Sequence, residues 1–321
     1  MERTIDVTAL GELLIDFTES GLSPQGNPLL EANPGGAPCN LLAMLARLGH
    51  RTAFLGKVGR DAFGDMLRQR VSGVGVDVSG LRVDENIPTT LAFVHTQPGG
   101  ERDFSFYRKP GADLMLGEDE VDFEKIAASK VFHFGTLSST GEPARSATRA
   151  ALAYAKAHGC LISFDPNLRP PLWDSLDRAR EEIDFGLSQC DVLKISDNEI
   201  EFMTGETDID AGISKLLQRH PIPLVLATMG PGGSKAFFRG QTVFAPPKLT
   251  EKTIETTGAG DTFGGCALHF VLKYGLDGLN EDRLHEMLTF ANAAASLVTT
   301  RKGALCVMPT PEEVRDYMAR D

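Results

Sequence analysis

The sequence predicts an α/β protein: a mostly parallel sheet covered by helices on both faces, with a small separate sheet beside it. Three observations lead there. From residue 130 onward, short apolar runs alternate with helical patterns. Strands alternating with helices pair in parallel and need a covering layer on each face. Two runs rich in β-formers, residues 89–96 and 102–107, flank Pro98-Gly-Gly100, a hairpin signal that interrupts the alternation. Third, Phe263, Cys266, Ala267, Phe270, Val271 and Tyr274 recur at helical spacing behind a glycine run, so a helix with one buried face starts on glycines.

Taken in order, residues 4–10 read as a buried strand ending at Gly11, and 12–17 as a second extended piece. Asp16 is either a solvated strand residue or a carboxylate that accepts from two hydroxyls of a polyol. Residues 20–34 carry Gly21, Pro24, Gly26, Pro28 and Pro34 and read as loop. Pro34-Gly-Gly-Ala-Pro-Cys-Asn40 then opens a helix over 41–48 that stops at Gly49. Gly35 and Gly36 make a tight turn, or let a small polar ligand reach the backbone beside Asn40, which offers both donors and an acceptor. Residues 52–58 are a strand. Asp61 begins a helix that turns Phe63, Met66, Leu67 and Val71 to one side.

Within the hairpin, Phe93, Phe104 and Phe106 sit at alternating positions. The hairpin and residues 12–33 together make the small sheet. Such a sheet cannot bury both faces alone, so it covers something or pairs with another subunit. This assigns 12–34 and 88–111 to a discontinuous small unit, and 1–11, 35–87 and 112–321 to the main α/β unit. In the latter, strands are expected at 130–134, 160–164, 191–195, 222–227 and 234–238. Helices are expected at 143–158 and 281–300, the last with Leu284, Leu288, Ala291, Ala295 and Val298 inward.

Composition narrows the function classes. The chain has 321 residues, of which 42% are hydrophobic, enough for a substantial core. A net charge of −12 argues against a nucleic-acid or anionic-membrane surface. Five scattered cysteines form no Cys-x-x-Cys and suit a reducing cytoplasm. Charged residues from Glu2 to Asp16 do not fit a signal peptide, and no apolar run is long enough to cross a bilayer.

The chemistry concentrates in Glu255-Thr-Thr-Gly-Ala-Gly-Asp-Thr-Phe-Gly-Gly-Cys266. Gly258 and Gly260 let backbone approach a ligand. The free amides and dipole of the helix start make an anion site. Asp261 belongs there only with a reason. At a helix start its charged form is favoured, so it is expected to be ionised at neutral pH and able to take a hydroxyl proton beside the anion site. The plainer reading is an ordinary helix with Asp in its first turn. In parallel sheets ligands bind beyond the carboxyl ends of the strands. Residues following those strands are therefore candidates: Asp165-Pro-Asn-Leu-Arg169, Lys194 through Glu201 with Glu199 in it, and Thr228-Met-Gly-Pro-Gly-Gly233. Each reads equally as a turn, a cap or a hairpin.

Glu255-Thr-Thr-Gly-Ala-Gly-Asp261 resembles the C-terminal signature of the ribokinase-like (phosphofructokinase-B type) sugar kinases, usually Asp-Thr-Thr-Gly-Ala-Gly-Asp. Gly35-Gly-Ala-Pro-Cys-Asn40 with its helix resembles their N-terminal signature, and Gly-Gly-Ala-Pro-x-Asn resembles the fructokinase branch. The two stand in the expected order, and the resemblance spans nearly the whole chain. It implies a ribokinase-like three-layer sandwich with a β-sheet lid that is often the dimer contact, the cofactors ATP and Mg²⁺, and, as in many members, K⁺. Residue by residue it implies Asp261 as base and Gly258, Ala259 and Gly260 as anion hole. Gly35, Gly36 and Asn40 would contact the sugar, with Asp16, Phe106, Arg108 and Arg169 as further substrate residues. Asn167, Lys194 and Glu199 would lie along the phosphate and metal-water path, and Thr228, Gly230, Gly233 and Asn292 along the nucleotide. Glu255, Thr257, Val298, Arg301 and Gly303 would hold the monovalent cation, with Glu255 a departure from the usual Asp.

The implied activity is phosphorylation of D-fructose at C6, with 2-keto-3-deoxygluconate kinase or ribokinase as alternatives. A non-catalytic sugar- or nucleotide-binding regulator is the reading from another class; such proteins usually lose the base or the anion hole. The chain has no Gly-x-Gly-x-x-Gly after its first strand and no Gly-x-x-x-x-Gly-Lys-Ser/Thr, which speaks against a dehydrogenase and a P-loop kinase.

Overall fold

The computed structural model describes residues 3–96 and 102–320, with the side chains of 95, 96 and 102–104 left aside. Its strands are β1 (Ile5–Leu10), β2 (Leu14–Leu22), β3 (Pro28–Gly35), β4 (Thr52–Gly59), β5 (Val76–Asp77), β6 (Leu81–Asp84), β7 (Leu91–Thr96), β8 (Arg102–Tyr107), β9 (Ser129–Gly135), β10 (Leu161–Asp165), β11 (Val192–Ser196), β12 (Leu224–Thr228), β13 (Ser234–Phe238) and β14 (Gln241–Ala245). The helices are α1 (Ala37–Arg47), α2 (Ala62–Gly73), α3 (Phe123–Ala127), α4 (Ala144–Ala157), α5 (Leu176–Leu187), α6 (Asp197–Thr204), α7 (Ile209–Arg219), α8 (Ala259–Tyr274), α9 (Glu281–Val298) and α10 (Pro311–Met318).

The main sheet runs β14-β13-β12-β11-β10-β9-β1-β4-β5, with β6 also on β4. From β12 to β5 neighbouring strands are parallel; β13 and β14 close one edge as an antiparallel hairpin. Such strands are buried on both faces, so they read as continuous apolar runs. One apolar core joins α1, α2, α8 and α9 to one face of the sheet; a second joins α4, α5, α6 and α7 to the other. The three-layer arrangement expected from the alternation is the one observed.

The small sheet is β3-β2-β7-β8, with β2 and β7 parallel and the outer pairs antiparallel. Here two sequence expectations change. Residues 20–34 are mostly strand rather than loop: β2 continues to Leu22 and pairs with β3 around the turn at 23–27. Of the prolines that suggested loop, Pro24 sits in that turn, and Pro28 and Pro34 lie at the start and near the end of β3, an edge strand, where a missing N–H is tolerated. The aromatic residues of the hairpin also divide between faces. Phe93 lies opposite Ser105, whereas Phe106 lies opposite Ala92. Phe93 stacks on Phe17, with ring centroids 5.0 Å apart, while Phe106 turns toward a cavity. The Pro98-Gly-Gly100 turn and the Phe104 side chain lie outside the described residues.

Helix α8 differs from the one-faced helix expected. Residues 262–268 are buried on every side, because α1 packs against one flank and α9 against another. A helix apolar all round belongs in a core. Its N-terminus is thereby anchored to the apolar core.

Candidate active site

Two cavities meet at the start of α8. The first, about 430 Å³, is polar. Its floor is the end of the main sheet and the turn before α8; its roof is the small sheet, through Leu14, Asp16 and Phe106. The second, about 340 Å³, is mostly apolar and lies between the β12–β13 turn, residues 247–256 and helices α8 and α9. Thr256 and Gly260 border both.

Gly258 caps α8 in the left-handed region, φ 77°, and a Cβ there would come within 2.4 Å of the Ala304 Cβ. Only glycine permits both. At Gly260 a Cβ would stand 3.0 Å from Lys194 Nζ, so the missing side chain lets that ammonium lie against the helix start. The Ala259 amide donates to the Thr256 carbonyl at 3.2 Å, tightening the turn.

Asp261 faces the polar cavity and accepts from Asn40 Nδ2 at 2.8 Å, across 221 residues of chain. The sequence reading had the helix start favour the charged form of this carboxyl. Instead burial pushes it up to about 6, and repulsion from Asp165 adds to that, against the Asn40 hydrogen bond and the Lys194 and Arg169 charges. At neutral pH the ionised form still predominates. Asn40 Oδ1 is buried without a hydrogen-bond partner. A polar atom so placed costs free energy until a ligand or water meets it.

Lys194, on β11, lies 3.0 Å from Asp165 Oδ2 at the end of β10. Burial disfavours its charge, but Asp165, Glu199 and Asp261 together hold its pKa above the ordinary lysine value. Asn167 and Arg169 line the same cavity; Asn167 takes φ 47°, a conformation asparagine tolerates, with its amide donating to Asp165 Oδ1 at 3.1 Å. Glu199 also lines it, but each carboxylate oxygen accepts a backbone amide at 2.8 Å, from Leu168 and from Ser196. It closes a capping box at the start of α6 as well as facing the cavity.

Asp16 and Gly36 line the polar cavity, and Gly35 backs it: a Cβ at Gly35 would meet the Asp16 carboxylate at 2.2 Å. At Gly36 (φ 124°) a Cβ would meet the Glu12 carbonyl at 2.4 Å. The sequence reading passed over Glu12. It follows Gly11 at the end of β1, lines the cavity, and accepts the Ala37 amide at 2.8 Å at the start of α1. Burial pushes it up to about 7, with the Ala37 hydrogen bond and Arg108 opposing. The signal was available in its place after a strand, the rule applied to Asp165 and Lys194 but not to β1.

Arg108 differs from its expected position. It lines neither cavity. It is buried against Asp113, with a contact of 2.6 Å, and donates to Thr140 Oγ1 and the Leu137 carbonyl, each at 2.8 Å. A strand-end arginine looks exposed in sequence, but Asp113, five residues on, draws it inward.

Thr228, Gly230 and Gly233 line the apolar cavity, the glycines at φ 50° and 91°. Asn292 lines it too, but its amide donates to the Ala245 and Pro246 carbonyls and its oxygen accepts from Ser234 Oγ at 2.9 Å, so it ties α9 to the β13–β14 edge. At the proposed cation loop, Glu255 Oε1 accepts the Gly303 amide at 2.8 Å, the Val298 carbonyl accepts the Arg301 amide at 3.2 Å, and Arg301 reaches Glu313. Glu255 and Gly303 are thus joined. Thr257 lines the polar cavity.

Comparison with known proteins agrees with this geometry. The model of the pfkB family carbohydrate kinases matches residues 4–311. The chain is 41% identical over 318 residues to a probable fructokinase-2 of Arabidopsis thaliana, covering 97% of this chain and 95% of that one. A fructokinase of Xylella fastidiosa with bound ATP superposes with a TM-score of 0.88 at 31% identity, covering 98% of each chain. A fructokinase double mutant of Vibrio cholerae O395, in a fructose-, ADP- and potassium-bound form, superposes at 0.86 with 29% identity, covering 99% of this chain and 100% of that one.

Proposed function

This chain belongs to the pfkB family of carbohydrate kinases, and on that premise we propose that it is an ATP-dependent fructokinase, moving the terminal phosphoryl group of ATP to the C6 hydroxyl of D-fructose. The observation that carries the reading is the meeting of a polar and an apolar cavity at Thr256 and Gly260, with Asp261 beside the junction. The sugar takes the polar cavity. Asp16 and the backbone at Gly35 and Gly36 meet its hydroxyls under the Phe106 ring, and Asn40 Oδ1 gains the donor it lacks. The nucleotide takes the apolar cavity, its base between the Thr228–Gly233 turn and the Asn292 face of α9. Its phosphates run toward Gly258, Ala259 and Gly260.

At the junction Asp261 accepts the C6 proton as the oxygen–phosphorus bond forms and the bond to the departing ADP breaks. A sugar hydroxyl is far less acidic than a carboxylic acid, so proton transfer accompanies bond formation in a loose transition state. A carboxyl held near 6 accepts that proton more readily than an ordinary one while staying ionised at pH 7. The amides and dipole of α8 face the migrating group; Lys194 and Arg169 offset charge along its path, and Asn167 lines the same cavity. The small sheet acts as a lid that keeps water, a competing acceptor, from the junction.

Among the described residues no three His, Cys, Asp or Glu side chains gather as a metal cluster. Mg²⁺ would arrive with the nucleotide and neutralise phosphate charge, and Glu199, in the polar-cavity lining, would face its hydration water. The joined segments around Glu255, Thr257, Val298, Arg301 and Gly303 offer hard oxygen donors to K⁺. Turnover is expected to rise with K⁺, and a flat response would remove that site.

Arg108 speaks against a sugar acid as substrate. Of the two arginines offered for its carboxylate, Arg108 is paired with Asp113; Arg169 does line the polar cavity, but there Glu12, Asp16 and Asp261 bring carboxyl groups of their own. The test is an acceptor panel of D-fructose, 2-keto-3-deoxygluconate and D-ribose, followed by coupled ADP release. Fructose should give the highest kcat/KM. Turnover of ketodeoxygluconate with none of fructose would reverse the assignment, and nucleotide binding without any transfer would support a regulator. The exposed Leu22, Leu29, Leu30 and Tyr107 make the lid a surface for a homodimer; sedimentation at monomer mass would refute it. No described helix is long and apolar enough to cross a membrane. The free cysteines suit the reducing cytoplasm, which cell fractionation tests.

A further inference from the structure

We infer that Tyr317, near the end of α10, is a positioning residue for the nucleotide, fixing the segment that walls the apolar cavity. The inference rests on the reading that this cavity takes the nucleotide. Residues 246–257 connect β14 to α8 and supply Lys248, Leu249, Thr250 and Thr253 to the cavity wall. Most of the segment is exposed, Leu249 by 67% and Ile254 by 59%. A segment with so little buried surface opens easily unless something holds it.

Its two ends are tied, Pro246 by Asn292 and Ile254 and Glu255 by the Thr299 carbonyl; between them the hold comes from the C-terminal helix. Tyr317 Oη lies 3.3 Å from the Leu249 carbonyl and 3.1 Å from Ser296 Oγ. A phenol has one proton to give and lone pairs to receive, so it donates to the carbonyl while accepting from the serine. Both contacted residues line the cavity, one on the segment and one on α9. A single hydroxyl therefore bridges two walls of a site that it does not itself line. The Lys248 ammonium lies 5.5 Å from the centroid of the Tyr317 ring and donates to the Arg320 carbonyl. The base of this clamp is firm. Val314 is buried in the core, Thr310 and Glu313 form a capping box, and Arg301 reaches Glu313 at 2.5 Å.

Releasing the segment lowers the fraction of molecules whose wall is ready for nucleotide, and apparent affinity falls by that fraction. Losing one hydrogen bond of ordinary net strength corresponds to about a three- to tenfold change. None of these contacts touches the polar cavity, so sugar affinity should not follow.

The experiment titrates Mg·ADP into the full-length wild type and Tyr317→Phe by calorimetry, with steady-state kinetics alongside. The variant is expected to raise the nucleotide Kd and the KM for ATP about three- to tenfold, leaving kcat and the KM for fructose within about twofold. An unchanged nucleotide Kd, or an equal loss of affinity for sugar and nucleotide, overturns the inference. A wild type that binds no nucleotide instead removes the reading beneath it. Should Tyr317→Phe fail to fold, Tyr317→His keeps a polar ring that falls short of the Leu249 carbonyl. The same rise of about three- to tenfold in the nucleotide Kd is expected, and an unchanged value overturns the inference.

Discussion

Asp261 is the residue on which the proposed chemistry turns, and its environment says how it should behave. Asp261→Asn keeps the shape and the contact with Asn40 but removes the proton acceptor. We expect kcat to fall by about 10²–10⁴, the usual worth of a positioned base, with the nucleotide Kd nearly unchanged. Unaltered turnover would take Asp261 out of the mechanism. In the wild type, kcat/KM should rise with pH as this carboxyl ionises near pH 6 and then level off. The local chemistry of 258–261 was legible because a glycine turn, a helix start and an acid sit in one short run. What spacing along the chain did not reveal was tertiary: the Asn40 hydrogen bond, the burial that raises the acid, and the inward turn of Arg108. Those depend on which elements pack together, and a charge looks the same in sequence whether it meets water or a partner.

At the scale of the element, α8 joins site to core. Gly258→Ala tests that joint. The substitution places an L-residue in the left-handed region, which costs about 1–2 kcal/mol, and drives a methyl into Ala304, worth about 1–3 kcal/mol as overpacking. A lower thermal midpoint together with a large loss of turnover is expected; wild-type values for both would show that the turn needs no glycine. The parallel strands were easy to read because burial on both faces leaves apolar runs bounded by glycines. β3 was not, since an edge strand tolerates prolines that elsewhere mark loops. Helices α3, α5, α7 and α10 escaped the reading, as did β14 and the short parallel strands β5 and β6. Their amphipathic or alternating patterns are short.

For the whole molecule, opposing titrations set the pH of greatest stability. Glu12 is raised from 4.5 to about 7, so the stability tied to its protonated form is complete below 4.5 and lost as pH rises through about 7. Asp261 acts in the same direction. Burial lowers His133 to about 3 and His269 to about 4; their contribution is complete above 6.5 and lost as pH falls toward those values. The two groups leave an optimum in mildly acidic to neutral solution. A tenfold change in proton affinity is worth about 1.4 kcal/mol, so the Glu12 displacement amounts to about 3 kcal/mol. Denaturant unfolding of wild type and Glu12→Gln should show the difference shifting in favour of the variant by up to that amount between pH 5 and pH 8. A pH-independent difference would mean that Glu12 ionises like any surface acid.

The junction at Thr256 and Gly260 has a stereochemical consequence. If donor and acceptor face each other across one shared backbone edge, the phosphorus is struck from one side as it is released on the other, with no enzyme-bound ester between. Three oxygens then turn inside out like an umbrella, once. A terminal phosphate made chiral with oxygen isotopes should leave with the opposite hand, and retention would reveal a hidden second handover.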